Sequence, residues 1–188
     1  MATTRPDRLH FTEDDAANEL IAREPLALLI GFALDQQVTV PTAFQGPLKL
    51  KRRLGTLDAR TLAETAPARL DEVFREKPAI HRFPGAMASR VQELAAAVVD
   101  EYGGEAERLW TEAGDGADLK RRIAALPGFG EMKVTALAAV LAKRFGVEAA
   151  QDLLPDHPTL GDVDSPEALA SYQEAKRAHK AAQRAKRG

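Results

Sequence analysis

The sequence predicts an all-α protein, and three patterns support that fold class. Alanine and leucine recur at spacings of three and four residues, which is the periodicity of a helix with one buried face. No stretch keeps the two-residue alternation of a half-buried strand. Proline, glycine and helix-capping residues separate the periodic segments. The 188 residues, 45% of them hydrophobic, suffice for one folded unit or for two small lobes that share a cleft.

Helix-start and helix-stop residues define the elements of the first half of the chain. Thr12 followed by Asp15 is typical of a helix start, and Pro25 interrupts the helix that follows. Pro41 begins a further helix that ends near Gly55, where glycine allows the chain to turn. The predicted helices of this half cover residues 16–23, 26–38, 41–55, 61–66 and 67–75.

The second half of the chain contains the longest predicted helices. Pro84-Gly85 marks a loop, and a long amphipathic helix follows until Gly103-Gly104. Asp164-Ser165-Pro166 combines an N-cap with proline at the first helical position, so it predicts the start of the last helix. The predicted helices cover residues 86–102, 105–111, 117–125, 131–145 and 168–186, with loops or short helical turns over 147–163.

The composition excludes several classes of function. The chain has no cysteine, which excludes disulfides, thiol catalysis, cysteine-ligated zinc and cysteine-ligated iron–sulfur clusters. The longest apolar run, residues 26–34, is about half the length that a bilayer-spanning helix needs. Residues 1–8 lack the apolar stretch of a secretory signal. We therefore expect a soluble protein with a cytoplasmic location.

The charge is unevenly distributed along the chain. A net charge of −2 argues against indiscriminate coating of nucleic acid, but the distribution of charge matters more than the sum. Each basic cluster taken alone is typical of a solvated surface. The clusters lie at residues 49–53, 120–122 and 143–144, and along the C-terminal tail.

The segment Leu126–Lys133, Leu-Pro-Gly-Phe-Gly-Glu-Met-Lys, lies between a short predicted helix and a long one. This order is typical of a helix-hairpin-helix motif. Gly128 and Gly130 let the backbone turn tightly and approach another surface closely, while Phe129 anchors the hairpin in the core. The free N–H groups of the turn and the positive end of the next helix suit a phosphate oxygen. An ordinary interhelical turn is the alternative, because proline and glycine are also common there.

Three segments in this order resemble the helix-hairpin-helix superfamily of DNA glycosylases, which includes endonuclease III and 3-methyladenine glycosylase II. Residues 34–39, Leu-Asp-Gln-Gln-Val-Thr, resemble the L-S-x-Q-x-T stretch of these enzymes. Residues 83–104 resemble their loop before a K-A-x-x-I helix, and the hairpin is the third segment. The resemblance covers about residues 25–146. The run 76–85 and the hairpin are similar to a cysteine-free subgroup described as HhH-GPD-type base excision repair proteins.

The resemblance implies a two-lobed helical fold that binds double-stranded DNA containing a lesion. One lobe would comprise about residues 1–30 and 147–188, and the other about residues 31–146, with the hairpin at 123–134. A lesion-bearing nucleotide would be rotated out of the duplex into the cleft between the lobes. We expect the protein to act as a monomer and not to bind a membrane.

Two polar pairs are candidate DNA contacts. By position, Gln37 matches the side chain that fills the gap left in the base stack, with Gln36 beside it; alternatively, both amides cap or bridge helix ends. His81 and Arg82 are a polar pair in an apolar context and are candidates for a phosphate or base contact. A satisfied core histidine is the alternative for His81. Trp110 is expected in the core.

The catalytic pattern of the family is incomplete in this chain. Relatives that also cleave the strand carry a lysine two residues after the second hairpin glycine, and this amine forms a Schiff base. Met132 occupies that position. Lys133 follows one residue later, about 100° around the helix, which turns it away from the expected direction. The sequence therefore predicts no lyase activity, and Lys133 is a candidate DNA contact.

Base excision needs a group that stabilises positive charge on the sugar, and a carboxylate does this directly or by activating water. The aspartate of the family would fall at Ala150. Asp152 and Asp156 lie close by, and an insertion would bring either into place. Residues 152–157 loosely resemble an L-P-D-D element of the methyladenine enzyme, which favours Asp156. A surface or capping role is the alternative for both.

Asp35 is the third catalytic candidate. It is the only carboxylate in an otherwise apolar predicted helix, where burial would raise its pKa. In a functional role it would face the extruded nucleotide. In a structural role it would cap the next helix or pair with Arg82 or Lys77.

The leading hypothesis is a DNA repair protein, a monofunctional DNA glycosylase that hydrolyses the N-glycosidic bond of a damaged or mispaired base. The alternatives are a non-catalytic module that binds damaged or bent DNA and a helical protein–protein adaptor. The resemblance implies no required cofactor, no catalytic metal and a K⁺ or Na⁺ ion at the hairpin carbonyls of Leu126 and Gly128. The sequence leaves open which base is recognised and what the basic C-terminal tail contacts.

Overall fold

The computed structural model describes residues 4–188, and these residues contain ten α-helices and two 3₁₀ turns but no β-strand. The predicted all-α class is therefore confirmed for them. The beginning of the predicted first lobe, at residue 1, lies outside the described residues. No helix of the described part combines the length and apolar character needed to cross a membrane. The helices are α1 (Asp15–Arg23), α2 (Pro25–Leu34), α3 (Val40–Leu54), α4 (Ala59–Glu64), α5 (Pro67–Arg75), α6 (Pro84–Tyr102), α7 (Arg108–Thr111), α8 (Gly116–Ala124), α9 (Glu131–Arg144) and α10 (Pro166–Arg187), and the 3₁₀ turns are Glu148–Leu153 and Leu160–Asp162.

The helix boundaries follow from local capping. The Asp14 side chain accepts hydrogen bonds from the first backbone N–H groups of α1. Thr39 does the same for α3, and Ser165 for α10, with Pro166 at the predicted first position. Gly103 ends α6 with φ 63°, as predicted from the paired glycines. Most predicted helices are therefore confirmed to within about two residues.

The helix predicted over residues 26–38 is wrong beyond Leu34. Helix α2 ends there, and the chain turns before α3. The Gln36 N–H bonds the Leu34 carbonyl at 2.8 Å, which closes a tight turn instead of another helical turn. His81 lies against the carbonyls of both residues, and Gln37 adopts φ 56°. A helix pattern in the sequence alone does not reveal this tertiary contact.

Helix α2 is apolar around its whole circumference and is buried on every side. It packs on α1, α3 and α6. A Cβ at Gly31 of α2 would overlap the Phe44 ring of α3, and a Cβ at Gly46 of α3 would overlap Leu34 of α2. Two glycines therefore let α2 and α3 cross at close range. Phe44 also makes an edge-to-face contact with Phe32, with ring centroids 5.1 Å apart.

The other helices pack around this crossing. Helices α4 and α5 lie on α6, where the Gln92 amide donates to the carbonyls at the end of α4. Both 3₁₀ turns pack on α9, and α8 contacts the first of them. Buried apolar residues from these elements form one continuous core that includes Trp110, as expected. The division into lobes stays a prediction, although the 3₁₀ turns contact α9, which was assigned to the other lobe.

Replacing Gly31 by alanine is expected to lower the free energy of unfolding by about 1–3 kcal/mol, the usual cost of overpacking a core. At an open helical position the same change would stabilise by up to about 1 kcal/mol, so the sign tests the crossing. Urea unfolding measures the difference. Gly114→Ala is the control, because Gly114 lies in a loop outside the left-handed region and no atom lies within 4 Å of the added Cβ. Equal stability of the two variants would contradict the close crossing.

Candidate functional site

The segment 35–39 connects α2 to α3 and is anchored by His81. The Nε2 atom of His81 lies 3.1 Å from the carbonyl oxygens of Leu34 and Gln36, and its Nδ1 accepts the N–H of Phe83 at 3.0 Å. These partners define a neutral ring protonated at Nε2. Burial lowers the pKa of His81 although the two carbonyls favour the charged form. The core-histidine alternative is confirmed, and in this conformation both ring nitrogens are used inside the protein.

Gln37 lies at the tip of this segment with an exposed side chain. Its φ of 56° makes it the one non-glycine residue in the left-handed region among residues 4–188. That conformation costs about 1–2 kcal/mol and is concentrated at functional sites. Thr39, not Gln37, caps α3 by accepting the Thr42 N–H. The Gln36 side chain is directed towards α9, where its Oε1 lies 3.5 Å from the Lys133 amine. This contact bridges two helices, as the structural alternative for Gln36 predicted.

Lys133 ties the hairpin helix to the end of α2. Its Nζ donates to the Ala33 carbonyl at 3.1 Å and is half-buried, whereas the Met132 side chain is 87% exposed. The expectation that Lys133 turns away is therefore wrong, since Lys133 faces the segment 35–39. The physical reason is that the last carbonyls of α2 have no partners within their helix and attract a cation. Burial lowers the pKa of the Lys133 ammonium, while Asp35 opposes that shift.

Asp35 immediately follows α2, and its side chain is 15% exposed. Burial raises the pKa of Asp35, as expected from the sequence, while Lys176, Lys133 and Lys180 act in the opposite direction. The nearest cation is on α10, with Lys176 Nζ 4.0 Å from Asp35 Oδ1. Arg82 and Lys77, the two partners expected from the sequence, do not form an ion pair with Asp35. Burial raises the pKa of the Tyr172 phenol, and the charge of Asp35 acts in the same direction.

The other two candidate carboxylates lie in different surroundings. Asp152 is exposed in the first 3₁₀ turn and packs beside Gly116 at the start of α8. Asp156 is exposed on the loop between the two 3₁₀ turns. Of the three aspartates, only Asp35 is shielded from water.

The hairpin has the predicted turn with one difference. Gly128 adopts φ 79°, and Phe129 is buried as an anchor. Gly130 has an extended backbone that any residue can adopt, so glycine is not needed there for the turn. Its remaining predicted role is to let a ligand approach the backbone closely. Arg90 of α6, which is not among the candidate contacts predicted from the sequence, lies over Gly128 so closely that a Cβ at Gly128 would overlap the guanidinium of Arg90. The start of α9 has no side-chain cap and is exposed at Glu131.

A bound ion at the hairpin stays a prediction. The Leu126 carbonyl already accepts the Phe129 N–H at 3.2 Å and keeps a second lone pair for a cation. Nowhere in residues 4–188 do three His, Asp or Glu side chains come together in the manner of metal ligands.

A cavity of about 440 Å³ opens beside Gln37. One wall is formed by the segment 37–40 together with Arg82, and the other by α10. The exposed Arg82 guanidinium lies 5.0 Å from the centre of the Phe83 ring. The residues around the cavity are 37–40, Arg82, Gln173, Lys176, Arg177, Lys180 and Arg184.

Five cations of the other basic clusters are engaged within the protein. Arg53 donates to the carbonyls of Val73, Glu76 and Pro78. The remaining pairs follow the same pattern, with Lys51 bound to Glu24, Arg121 and Arg122 to Asp118, and Lys143 to Asp162. Pairing between distant residues is not visible in a charge pattern, so all four basic clusters look alike in the sequence.

Comparisons with known proteins find no matching family model, no matching curated protein and no matching solved structure. The functional interpretation therefore depends on the geometry of the segment 35–39, the hairpin and α10.

Asp35→Asn is expected to gain stability relative to the parent as the pH rises above about 4, the ordinary pKa of an aspartate. Because the pKa of Asp35 is raised in the fold, the folded state binds the proton more tightly than the unfolded chain does. The parent therefore loses stability as the pH rises above that value, whereas asparagine has no charge to desolvate. Urea unfolding at a series of pH values measures the difference, with Asp152→Asn as the exposed control. A gain that grows towards acid pH would contradict the assignment.

Proposed function

We propose that the protein is a monofunctional DNA glycosylase that removes a damaged or mispaired base from double-stranded DNA. The observation that carries the proposal is the position of Asp35. It is a water-shielded carboxylate next to the hairpin helix on one side and the basic helix α10 on the other. A carboxylate of this kind is the one chemical group that base hydrolysis requires of the protein.

The hairpin supplies a docking surface for the DNA backbone. Gly128 and Gly130 are exposed, and the uncapped start of α9 presents its backbone N–H groups to solvent. Such groups suit phosphate oxygens and hold a duplex in register without reading its sequence. Lys133 connects this helix to the end of α2 through the Ala33 carbonyl. A duplex on the hairpin is thereby held at a fixed position relative to Asp35.

Gln37 is the proposed wedge that replaces the extruded base. Its side chain is exposed at the tip of the turn, and its left-handed backbone is held in place from both sides. His81 fixes the residues before it, and the Thr39 cap fixes the residues after it. A rigid turn loses little conformational entropy when it enters the base stack.

The chemistry of Asp35 follows from its surroundings. As the glycosidic bond breaks, positive charge develops on the sugar, and a partly desolvated carboxylate attracts that charge more strongly than a solvated one. The raised pKa also makes Asp35 a better proton acceptor for an attacking water. Lys133 has a positioning role in this proposal and not a nucleophilic one. Its amine is occupied by the Ala33 carbonyl and by Gln36.

The proposal is tested by an assay of abasic-site formation on a panel of duplexes, each with a different lesion or mispair. We expect base release from at least one duplex, an uncut abasic strand and no covalent adduct trapped by borohydride. An adduct that disappears in Lys133→Gln would contradict the monofunctional assignment. DNA binding without base release from any duplex would support the non-catalytic module instead. A protein that binds no DNA would contradict both and favour the adaptor.

Asp35→Asn is expected to lower single-turnover base release by two orders of magnitude or more, about 2.7 kcal/mol in the barrier. Asparagine keeps the size of the side chain and removes its charge, so DNA affinity should stay level or rise. Asp152→Asn and Asp156→Asn are the matched controls, because both residues are exposed. A larger loss in either control would move the catalytic assignment away from Asp35.

Gln37→Ala is expected to reduce base release from duplex DNA more than from single-stranded DNA, where little stacking has to be replaced. Rates on both substrates measure the difference. The control is Gln36→Ala, whose amide lies against Lys133 instead of projecting from the turn. Equal losses on the two substrates would remove Gln37 from the wedge role.

A further inference from the structure

The second half of α10 is rich in cations. No aspartate or glutamate follows Glu174. Lys176, Lys180 and Arg184 recur every four residues, which places them on one face at intervals of about 6 Å. This face, with Arg177, forms one wall of the cavity beside Gln37. The terminal Lys186 and Arg187 do not line the cavity.

The opposite wall adds no negative charge to the cavity. It consists of the segment 37–40 and Arg82, and none of these residues is acidic. Lys176 has Asp35 at 4.0 Å. Within the described part of the chain, no carboxylate lies within 4.0 Å of the cationic groups of Arg82, Arg177, Lys180 or Arg184. The cavity is therefore a concave surface with an excess of positive charge.

This arrangement differs from the other basic clusters of the protein. There, Lys51, Arg121, Arg122 and Lys143 are paired with carboxylates, and Arg53 holds backbone carbonyls. Cations gathered around a concavity repel one another, and an anionic ligand relieves that repulsion. A row of cations at regular intervals along a helix suits a polymer of phosphates better than a single small anion.

We infer that the cavity between the segment 37–40 and α10 binds the sugar–phosphate backbone of the DNA strand that carries the extruded nucleotide. Lys180 and Arg184 contact the phosphates from one wall, and Arg82 contacts them from the other. The inference rests on the proposed function and assigns the basic tail a defined role in it. The hairpin and α10 then hold two separate stretches of backbone, with Gln37 and Asp35 next to the second of them.

The test compares two double variants with the same change in net charge. Lys180→Gln with Arg184→Gln removes cations that face the cavity, while Lys186→Gln with Arg187→Gln removes cations that do not. Glutamine has a high helix propensity, so α10 is preserved, and circular dichroism checks this. Binding of a fluorescent 20-base-pair duplex with a mispair is measured by anisotropy over a range of salt concentrations, with the fully paired duplex alongside.

We expect the first variant to bind the duplex at least about tenfold more weakly than the parent, with the slope of log K against log salt reduced by roughly one to two. The second variant should stay within about threefold of the parent. Equal losses in both variants would overturn the inference in favour of a general charge effect, and unchanged binding in the first would overturn it outright.

The same variants separate this inference from the proposed function. If the first variant loses binding selectively but the parent releases no base, the DNA contact stands and the catalytic proposal fails. If the parent releases base and the first variant binds and reacts like the parent, the catalytic proposal stands and the α10 contact fails. A parent that binds no duplex at all overturns both.

Discussion

The close crossing of α2 and α3 is the constraint on which the rest of the structure depends. Gly31 and Gly46 allow the two helices to approach until Phe44 and Leu34 fill the space that side chains would otherwise occupy. Because α2 is buried on every side, the first residue after it is the first that reaches water. That residue is Asp35, whose partial burial raises its pKa.

The turn after α2 is held by contacts from distant parts of the chain. The last carbonyls of α2 accept the amine of Lys133 and the ring N–H of His81, which come from α9 and from the loop before α6. These two side chains give three separate elements a fixed geometry around Gln37. Two features of this turn are energetically unfavourable: the desolvated carboxylate of Asp35 and the left-handed backbone of Gln37. Such costs are common where function requires a preorganised site.

The sequence predicts more of the helices than of the site. Capping residues such as Ser165 and turn glycines such as Gly103 act locally, so the pattern locates the helix ends. The burial of Asp35 follows from the apolar run before it. The direction of the Lys133 side chain cannot be predicted from the sequence, because it is decided by unpaired carbonyls on a helix a hundred residues away in sequence. For the same reason, no local pattern places α10 against the segment 35–39 or distinguishes its cations from those already paired.

We propose that DNA bound to the hairpin has one nucleotide extruded beside Gln37 towards Asp35. The most direct test is the fluorescence of 2-aminopurine next to a mispair in duplex DNA, because this base brightens when it loses its stacking partner. Anisotropy on the same sample reports the bound fraction. The account predicts a rise in fluorescence on saturation with the parent and a clearly smaller rise with Gln37→Ala at equal saturation. Saturated binding without any rise in the parent would contradict the account.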